Sequence, residues 1–256
     1  MSGEPEVTRA RELLGRASSI LVLTGAGVSA ESGVPTFRGE GGLWRSHRPE
    51  ELATPEAFRR DQRLVWEWYG WRRELVGRCA PNPGHHALAR LALGRPGVTL
   101  VTQNVDGLHE VAALAEAGEA DLGAALPLEL HGSLFRVRCT RCGARIRDRA
   151  AVDATSEASL PRCAECAGLL RPDIVWFGES LDPLVLDAAF QAAQSAEVCL
   201  VAGTSALVQP ASSLPLMTAR AGGRVVEVNP DPTPLTPIAA VSLRAPSGEM
   251  LPRLLD

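Results

Sequence analysis

The sequence predicts an α/β protein with a doubly wound parallel sheet and a smaller, cysteine-bearing domain inserted in it. Short apolar runs recur at residues 20–23, 98–101, 198–201 and 225–228, as expected for strands buried on both faces. Sequence with helical character separates these runs, as crossover connections between parallel strands require. Four cysteines confined to residues 139–166 mark the insert.

The elements can be assigned in chain order from local patterns. The spacing of Val7, Ala10 and Leu14 predicts a helix over residues 6–17, and the apolar run that follows predicts the first buried strand. Residues 139–166 break this alternation because they are polar, rich in Arg and Cys, and without long helical periodicity. The chain is therefore expected to have a large sheet domain that carries a small module.

Composition restricts the class of protein. With 256 residues, 45% apolar and 22% charged, the chain resembles ordinary globular proteins and is long enough for a large domain with an insert. A net charge of −4 argues against direct nucleic-acid binding. No run of 18 apolar residues and no apolar leader occur, so we expect no membrane association and a cytoplasmic location.

A glycine-rich segment follows the first predicted strand. Residues 24–30 read Thr-Gly-Ala-Gly-Val-Ser-Ala, the G-x-G-x-x-A form of a Rossmann fingerprint. Gly25 permits a tight turn, Gly27 lets the backbone approach a pyrophosphate, and Ala30 allows close helix packing. The alternative is a simple tight turn, because no ribose-binding acid is evident about 20 residues further on. Residues 31–39 continue as a loop hinged by Gly and Pro that could fold over a bound dinucleotide.

The cysteines form two C-x-x-C pairs, Cys139 with Cys142 and Cys163 with Cys166, separated by twenty residues. Each pair can place two thiolates about 2.3 Å from a tetrahedral zinc ion. The alternative is two disulfides, which a reducing compartment disfavours. Four thiolates leave no open coordination position, so one zinc ion with a structural role is predicted.

Polar residues follow the second predicted strand. Residues 102–109 read Thr-Gln-Asn-Val-Asp-Gly-Leu-His, and the carboxyl ends of parallel strands are where open α/β sheets bind ligands. Their amide and carboxylate groups suit a ribose and a nicotinamide amide, although a polar loop cap is the alternative. His131, just before the cysteines, could take a proton from a hydroxyl or serve a structural role.

In their order along the chain, these motifs resemble those of the sirtuins. The matching segments are residues 25–39, Thr102-Gln-Asn-Val-Asp106, His131-Gly132, the four cysteines, Arg171-Pro-Asp-Ile-Val-Trp-Phe-Gly-Glu179, Gly203-Thr-Ser205 and Val228-Asn-Pro230. The match runs from about residue 6 to the C-terminus.

The resemblance implies an NAD-dependent protein-lysine deacylase with a Rossmann-type domain, a small zinc-binding domain and a substrate cleft between them. NAD is consumed: the acyl oxygen attacks the ribose as nicotinamide leaves, and His131 then activates the ribose hydroxyl that attacks the intermediate. The products implied are free lysine, nicotinamide and O-acyl-ADP-ribose. The partners implied are acylated-lysine proteins or peptides, because the chain itself contains no lysine. We expect a monomer.

The resemblance also assigns site residues. Asn104 and Asp106 are expected to act in catalysis with His131. The residues expected to bind NAD are Gly25, Ala26, Gly27, Ser29, Glu31, Thr36, Phe37, Arg38, Gln103, Asn104, Val105, Asp106, Gly203, Thr204, Ser205, Asn229, Pro230, Asp231 and Ser247. Those expected to bind the peptide backbone, by β-augmentation, are Val175, Trp176, Phe177 and Gly178.

The domain assignment follows from these matches. Residues 1–35, 90–135 and 171–256 are expected to form the discontinuous Rossmann-type NAD-binding domain. Residues 36–89 are expected to form the helical and loop part of the small domain with the acyl-binding residues, and 136–170 the zinc-binding module.

Tyr69-Gly-Trp-Arg72 resembles the Tyr-x-x-Arg pair of sirtuins that remove succinyl, malonyl or glutaryl groups. A guanidinium and a phenol can pair with a terminal carboxylate in an apolar tunnel, and their i, i+3 spacing places them on one helical face. Thr36 matches the same desuccinylase and demalonylase branch. The alternative is an amphipathic helix with a solvated arginine. Deacetylation is expected to persist as a second activity.

The sequence departs from the sirtuin pattern in two places, and three other functions are considered. Residues 110–128 are about ten residues longer than the usual family connection, and the usual Arg-Ala-Gly after His109-Glu110 is absent. The first rival is a mono-ADP-ribosyltransferase. The others are a non-catalytic binding module, which Asn104, Asp106 and His131 argue against, and a dehydrogenase, which the missing ribose acid argues against.

Overall fold

The computed structural model describes residues 3–35, 52–118 and 122–256. Its helices are α1 Glu4–Arg16, α2 Pro55–Arg60, α3 Gln62–Gly77, α4 Pro83–Gly94, α5 Leu108–Ala117, α6 Pro183–Ser195, α7 Ser213–Arg220 and α8 Ser247–Leu255. Its strands are β1 Ile20–Thr24, β2 Val98–Thr102, β3 Leu128–Glu129, β4 Gly132–Cys139, β5 Arg145–Arg147, β6 Leu170–Ile174, β7 Val198–Ala202, β8 Arg224–Val228 and β9 Val241–Leu243. Short 3-10 helices span Ala26–Ser32, Gly123–Ala125 and Thr236–Ile238. None of the described helices has both the length and the apolar character needed to cross a membrane.

Six of these strands form a parallel sheet in the order β3-β2-β1-β7-β8-β9. The chain runs outward from β1 through β2 and β3, then returns to the other side of β1 and continues through β7, β8 and β9. The direction of winding therefore reverses between β1 and β7. Open sheets of this kind form a ligand crevice at the carboxyl ends of the strands where the order reverses. Those ends lie at Thr24 and Ala202.

Helices cover both faces of this sheet. On one face, Leu14 of α1, Leu88 of α4 and Leu251 of α8 belong to one buried cluster with residues of the strands. On the other face, Ala193 of α6 and Leu214 of α7 do the same. Because both faces are covered, the strands are continuous apolar runs. The predicted doubly wound α/β fold is confirmed.

A third buried cluster belongs to a smaller domain. Three antiparallel strands in the order β5-β4-β6 pack with helices α2 and α3. Trp66 of α3 is fully buried, and its Nε1 donates to the Leu170 carbonyl of β6 at 3.0 Å. Helices that precede β2 in the chain therefore share one core with the cysteine-bearing segment.

Two segments refine the expectations from sequence. The glycine-rich turn continues as a 3-10 helix over Ala26–Ser32 rather than as an α-helix, and it ends at Gly33, whose φ of 82° is left-handed. The long connection over residues 110–128 contributes most of α5 and the 3-10 helix Gly123–Ala125. Because Ala125 is fully buried in the cluster of the large domain, this connection is partly core.

Candidate active site

The glycine-rich turn packs against the backbone that follows β7. Gly27 N–H donates to the Gly203 carbonyl at 2.7 Å. A Cβ on Gly27 would lie 2.7 Å from that same oxygen, and Gly203 has a left-handed φ of 59°. Glycine is therefore required at residue 27 by the close approach of the protein's own backbone, whereas the sequence pattern suggested an approach to a pyrophosphate. The two segments meet at the crevice between β1 and β7.

Ser29 is the centre of a buried polar cluster in this crevice. Its hydroxyl donates to Asp106 Oδ2 at 2.8 Å and accepts from Asn104 Nδ2 at 3.0 Å. His85 Nε2 lies 3.2 Å from the same oxygen, while His85 Nδ1 accepts from Asn82 N–H. The proton of the His85 ring is therefore on Nε2, and Ser29 makes one donor and two acceptor bonds, the full capacity of a hydroxyl.

Burial sets the charge of this cluster. It lowers the pKa of His85 to about 2, so the ring is neutral at pH 7. Burial also raises the pKa of Asp106. The Leu108 N–H, the Ser29 hydroxyl and the positive charge of Arg72 oppose this effect, because each of them stabilises the carboxylate. The site therefore holds Asp106 by directed hydrogen bonds in a region from which water is largely excluded.

His85 and His109 were not predicted from sequence. Their rings lie 4.8 Å apart, and His109 Nε2 lies 2.9 Å from the Thr24 hydroxyl at the end of β1. A local signal was available: Asn82 followed by Pro83 is a helix N-cap pattern, and the structure places His85 in the capping box of α4. The contact between His85 and Ser29 has no such local signal.

His131 lies at the junction between β3 and β4, beside the end of β2. Its Nδ1 is 2.9 Å from the Gln103 carbonyl, which can only accept, so the proton of the neutral ring is on Nδ1. Nε2 therefore carries the lone pair of a general base. Burial lowers the pKa of His131, which keeps this form populated near neutral pH.

The predicted acyl-binding pair lies in the core of the small domain. Arg72 is only 3% exposed, which excludes the alternative of a solvated arginine. Its guanidinium lies 4.7 Å from the centre of the Trp68 ring and forms a side-chain hydrogen bond with Tyr69. The Tyr69 oxygen also accepts from Trp176 Nε1 at 2.8 Å. Burial lowers the pKa of Arg72, the signature of a cation removed from water.

Three N–H groups of the predicted peptide-binding segment donate to other groups of the protein. Val175 N–H donates to the His131 carbonyl at 3.0 Å, and Phe177 N–H donates to the Ala53 carbonyl at 2.9 Å. Trp176 N–H donates to the Glu179 carboxylate at 2.9 Å. The Phe177 side chain is 55% exposed. A peptide that pairs with Val175, Trp176 or Phe177 must therefore donate its own N–H groups.

The remaining predicted NAD residues cluster at the same edge of the sheet. Gln103 Nε2 donates to the Thr204 hydroxyl at 2.9 Å, and Glu31 accepts from Gly248 N–H at 2.6 Å at the start of α8. Ser247 Oγ is buried and has no hydrogen-bond partner among the described residues. An orphaned hydroxyl at this edge fits a site that takes a polar ligand. Ala26, Val105, Ser205, Asn229, Pro230 and Asp231 follow strand ends of the same sheet, whereas Thr36, Phe37 and Arg38 lie outside the described residues.

The four cysteines converge on one point of the small domain. All four Sγ atoms lie within 4.8 Å of one another; Cys139 and Cys166 are 3.5 Å apart, and Cys142 and Cys163 are 3.7 Å apart. Four bonds of about 2.3 Å to a tetrahedral zinc ion require sulfur separations of about 3.8 Å, whereas a disulfide bond is about 2.05 Å long. The thiols are free, so the arrangement fits one structural zinc and not two disulfides.

Comparison with known proteins agrees with this geometry. Residues 25–210 match the model of the Sir2 family. The chain is 51% identical over 238 residues to NAD-dependent protein deacylase 1 of Archaeoglobus fulgidus, covering 92% of this chain and 91% of that protein. It is 49% identical over 245 residues to NAD-dependent protein deacylase 2 of Pyrobaculum aerophilum, covering 96% and 93%. A solved Sir2 homolog–NAD complex is 48% identical, with a TM-score of 0.85 over 97% of this chain and 92% of that one.

Proposed function

The chain belongs to the Sir2 family of sirtuins, and from that premise we propose that it is an NAD-dependent protein-lysine deacylase. The observation that carries the proposal is the orientation of His131. The Gln103 carbonyl holds the ring proton on Nδ1, so Nε2 is available as a base at the edge of the sheet where β1 and β7 end and the direction of winding reverses. The same edge carries the glycine-rich turn and the cluster around Ser29.

The residues divide the chemistry between them. Bound NAD would supply a ribose carbon that the acyl oxygen can attack, with the glycosidic bond breaking and nicotinamide leaving. We propose that His131 Nε2 takes the proton of a ribose hydroxyl, which makes that oxygen the nucleophile for the acyl transfer. Asn104 and Asp106 are held by Ser29 and would orient the nicotinamide side. The zinc site is proposed to brace the small domain and to take no part in the reaction.

We further propose that the acyl group preferred is acidic: succinyl, malonyl or glutaryl. Arg72 is a buried cation on a wall of aromatic rings, with the Tyr69 hydroxyl beside it. A carboxylate at the end of the acyl chain could form a charge-assisted, two-point hydrogen bond with the buried guanidinium and a further one with the Tyr69 hydroxyl. An acetyl group would enter the same space without that pairing, so deacetylation is proposed as the weaker activity.

The rival of NAD-dependent mono-ADP-ribosylation is not favoured. The relatives reported above are named as deacylases, and the position of His131 suits deprotonation of a ribose hydroxyl. The partners proposed are acylated-lysine proteins or peptides. The domain boundaries stated above, the monomeric state and the cytoplasmic location stay predictions.

The test is mass spectrometry of one lysine peptide carrying succinyl, malonyl, glutaryl or acetyl groups, with and without NAD. We expect NAD-dependent loss of the acyl group with equimolar nicotinamide and O-acyl-ADP-ribose, fastest on an acidic acyl group. His131→Ala should abolish the reaction. His86→Ala is the matched control, because the His86 ring pairs with the Glu116 carboxylate, at 2.8 Å, and is not among the proposed catalytic residues. Parental rates in His131→Ala, or NAD cleavage that needs no acyl-peptide, would contradict the proposal.

A further inference from the structure

Glu227 is a buried carboxylate outside the residues assigned so far. It lies on β8 and is only 1% exposed. Thr236 and Ser242 donate to its Oε2 at 2.8 and 2.6 Å, and the Thr233 hydroxyl donates to its Oε1. Arg244 adds a positive charge 3.5 Å from Oε2. A buried carboxylate is tolerated when donors and a cation surround it, and here both oxygens are bonded.

Two of these donors come from the proline-rich loop that follows β8. Thr236 Oγ1 also accepts from Thr233 N–H at 2.9 Å, and Thr233 Oγ1 accepts from Leu235 N–H at 3.1 Å. The Glu227 carboxylate therefore holds both threonine hydroxyls. The same two hydroxyls accept hydrogen bonds from backbone N–H groups of the loop. Ser242, by contrast, lies on β9, directly opposite Glu227 in the sheet.

Arg244 connects Thr236 to the turn over residues 229–231, at the end of β8. Its Nη2 donates to Thr236 Oγ1 at 2.9 Å, and its Nη1 donates to the Asp231 carbonyl at 2.6 Å. The Asp231 carbonyl also accepts from Asn229 Nδ2 at 2.8 Å. Because Nδ2 is turned inward, the Asn229 side chain presents its other polar atom, Oδ1, as an acceptor. A hydroxyl of a ribose is a donor that such an acceptor can bind.

The turn lies close to the glycine-rich segment. Asn229 directly follows Val228, whose carbonyl accepts from Gly203 N–H at 3.0 Å. Gly203 in turn contacts Gly27. The turn over residues 229–231 therefore lies at the edge of the sheet that holds the NAD crevice, two strands from β1.

We propose that Glu227 and Arg244 are positioning residues that hold the 229–231 turn in the conformation that receives the adenosine ribose of NAD. This rests on the proposed function, which assigns Asn229 and Asp231 to the adenosine half. Glu227 is too deeply buried to touch the cofactor, so it acts through Thr236 and Arg244. The proposed chemistry is assigned to His131, Asn104 and Asp106, so we expect only the binding of NAD to depend on Glu227 and Arg244.

The test compares Thr236→Val and Arg244→Gln with Ser242→Ala, a control that removes a donor to the same carboxylate from β9 instead of the loop. Calorimetric titration with ADP-ribose is the main readout, because it requires no deacylation. We expect Thr236→Val and Arg244→Gln to bind ADP-ribose at least about tenfold more weakly, and Ser242→Ala to bind like the parent. Thr236→Ser, which restores the hydroxyl, should recover the affinity.

Steady-state kinetics then separates positioning from a merely structural role. The KM for NAD should rise in Thr236→Val and Arg244→Gln while kcat at saturating NAD stays at the parental value. Parental ADP-ribose affinity in both variants, or equal losses in Ser242→Ala, would overturn the inference. So would a parent protein that does not bind ADP-ribose. A parent protein that binds ADP-ribose but deacylates no peptide would refute the proposed deacylase function. The ADP-ribose affinities of the variants would then still decide whether Glu227 and Arg244 position the 229–231 turn.

Discussion

Tyr69 and Trp176, which are 107 residues apart in the chain, are joined by a hydrogen bond of 2.8 Å from the Trp176 indole to the Tyr69 oxygen. Tyr69 belongs to the proposed acyl-binding pair and Trp176 to the proposed peptide-binding segment. Phe58 also packs on Trp176, with ring centres 5.3 Å apart. The wall that would contact the acyl group and the segment that would contact the peptide are therefore parts of one buried aromatic cluster.

Replacing the buried arginine should change acyl preference. Arg72→Met keeps much of the side-chain volume and removes the charge that would pair with an acyl carboxylate. We expect the kcat/KM for desuccinylation to fall, by an amount that corresponds to a loss of about 2 kcal/mol or more of transition-state stabilisation. The kcat/KM for deacetylation should change much less. Steady-state kinetics on the two acyl-peptides measures this difference.

Arg73→Met is the matched control for that variant. Arg73 is the next residue of α3, is also buried, and donates to the Leu134 carbonyl at 2.6 Å and to Asp148 at 3.3 Å. It should lower stability and leave the ratio of the two activities unchanged. Equal losses on both acyl groups in Arg72→Met would indicate that Arg72 serves folding and not selection.

A methyl group on the glycine-rich turn should disrupt NAD binding. In Gly27→Ala the new Cβ would meet the Gly203 carbonyl at 2.7 Å, so the turn must separate from the segment after β7. We expect the free energy of unfolding to fall by about 1–3 kcal/mol and ADP-ribose affinity to fall with it. Gly15→Ala in α1, where no atom lies within 4 Å of the added Cβ, should be neutral or slightly stabilising. Unchanged ADP-ribose affinity in Gly27→Ala would refute the requirement for close backbone contact.

The cysteine cluster should hold one zinc ion that supports folding. Elemental analysis should find one equivalent of zinc in the parent and in Cys79→Ser, because Cys79 lies outside the cluster. Cys163→Ser should lose the metal, and its small domain should unfold at lower temperature, because metal binding is coupled to folding at such sites. Full zinc content in Cys163→Ser would count against the four-thiolate site.

Stability should fall in acid because of two buried histidines. Burial lowers the folded-state pKa of His85 to about 2 and of His109 to about 4, both below the usual value of 6.5. The unfolded chain therefore binds more protons as pH falls below 6.5, so the neutral rings contribute stability that is present above that pH and lost below it. Each ring should lower the free energy of unfolding by about 1 kcal/mol per pH unit between pH 6 and 4.

Denaturant unfolding of the parent and His109→Gln at several pH values checks this. Glu129 works in the opposite direction, because burial raises its pKa to about 7. Its contribution is common to both proteins and cancels in their difference. The difference in free energy of unfolding should therefore change by about 1 kcal/mol per pH unit in this window. A difference that does not change with pH would show that His109 is not buried as a neutral ring.

Much of the fold follows from local pattern. The strands at 20–23, 98–101, 198–201 and 225–228 were predicted because strands covered on both faces must be short continuous apolar runs. The four cysteines were predictable because two knuckles with fixed short spacing can each supply two thiolates. The glycine-rich turn and His131 were identified because each stands next to a strand or motif that can be read locally.

What only the tertiary structure decided are contacts between distant segments. His85 meets Ser29 across 56 residues, Gly27 meets Gly203, and Tyr69 meets Trp176. The sequence marked residue 27 as glycine, but no local pattern indicated its contact with Gly203. Hydrophobic periodicity and motif spacing report on residues within one element, whereas these pairs depend on how strands and helices from different parts of the chain pack. The sequence therefore determined the family, the metal ligands and the candidate base, while the folded chain determined the tautomer of that base and the burial of Arg72.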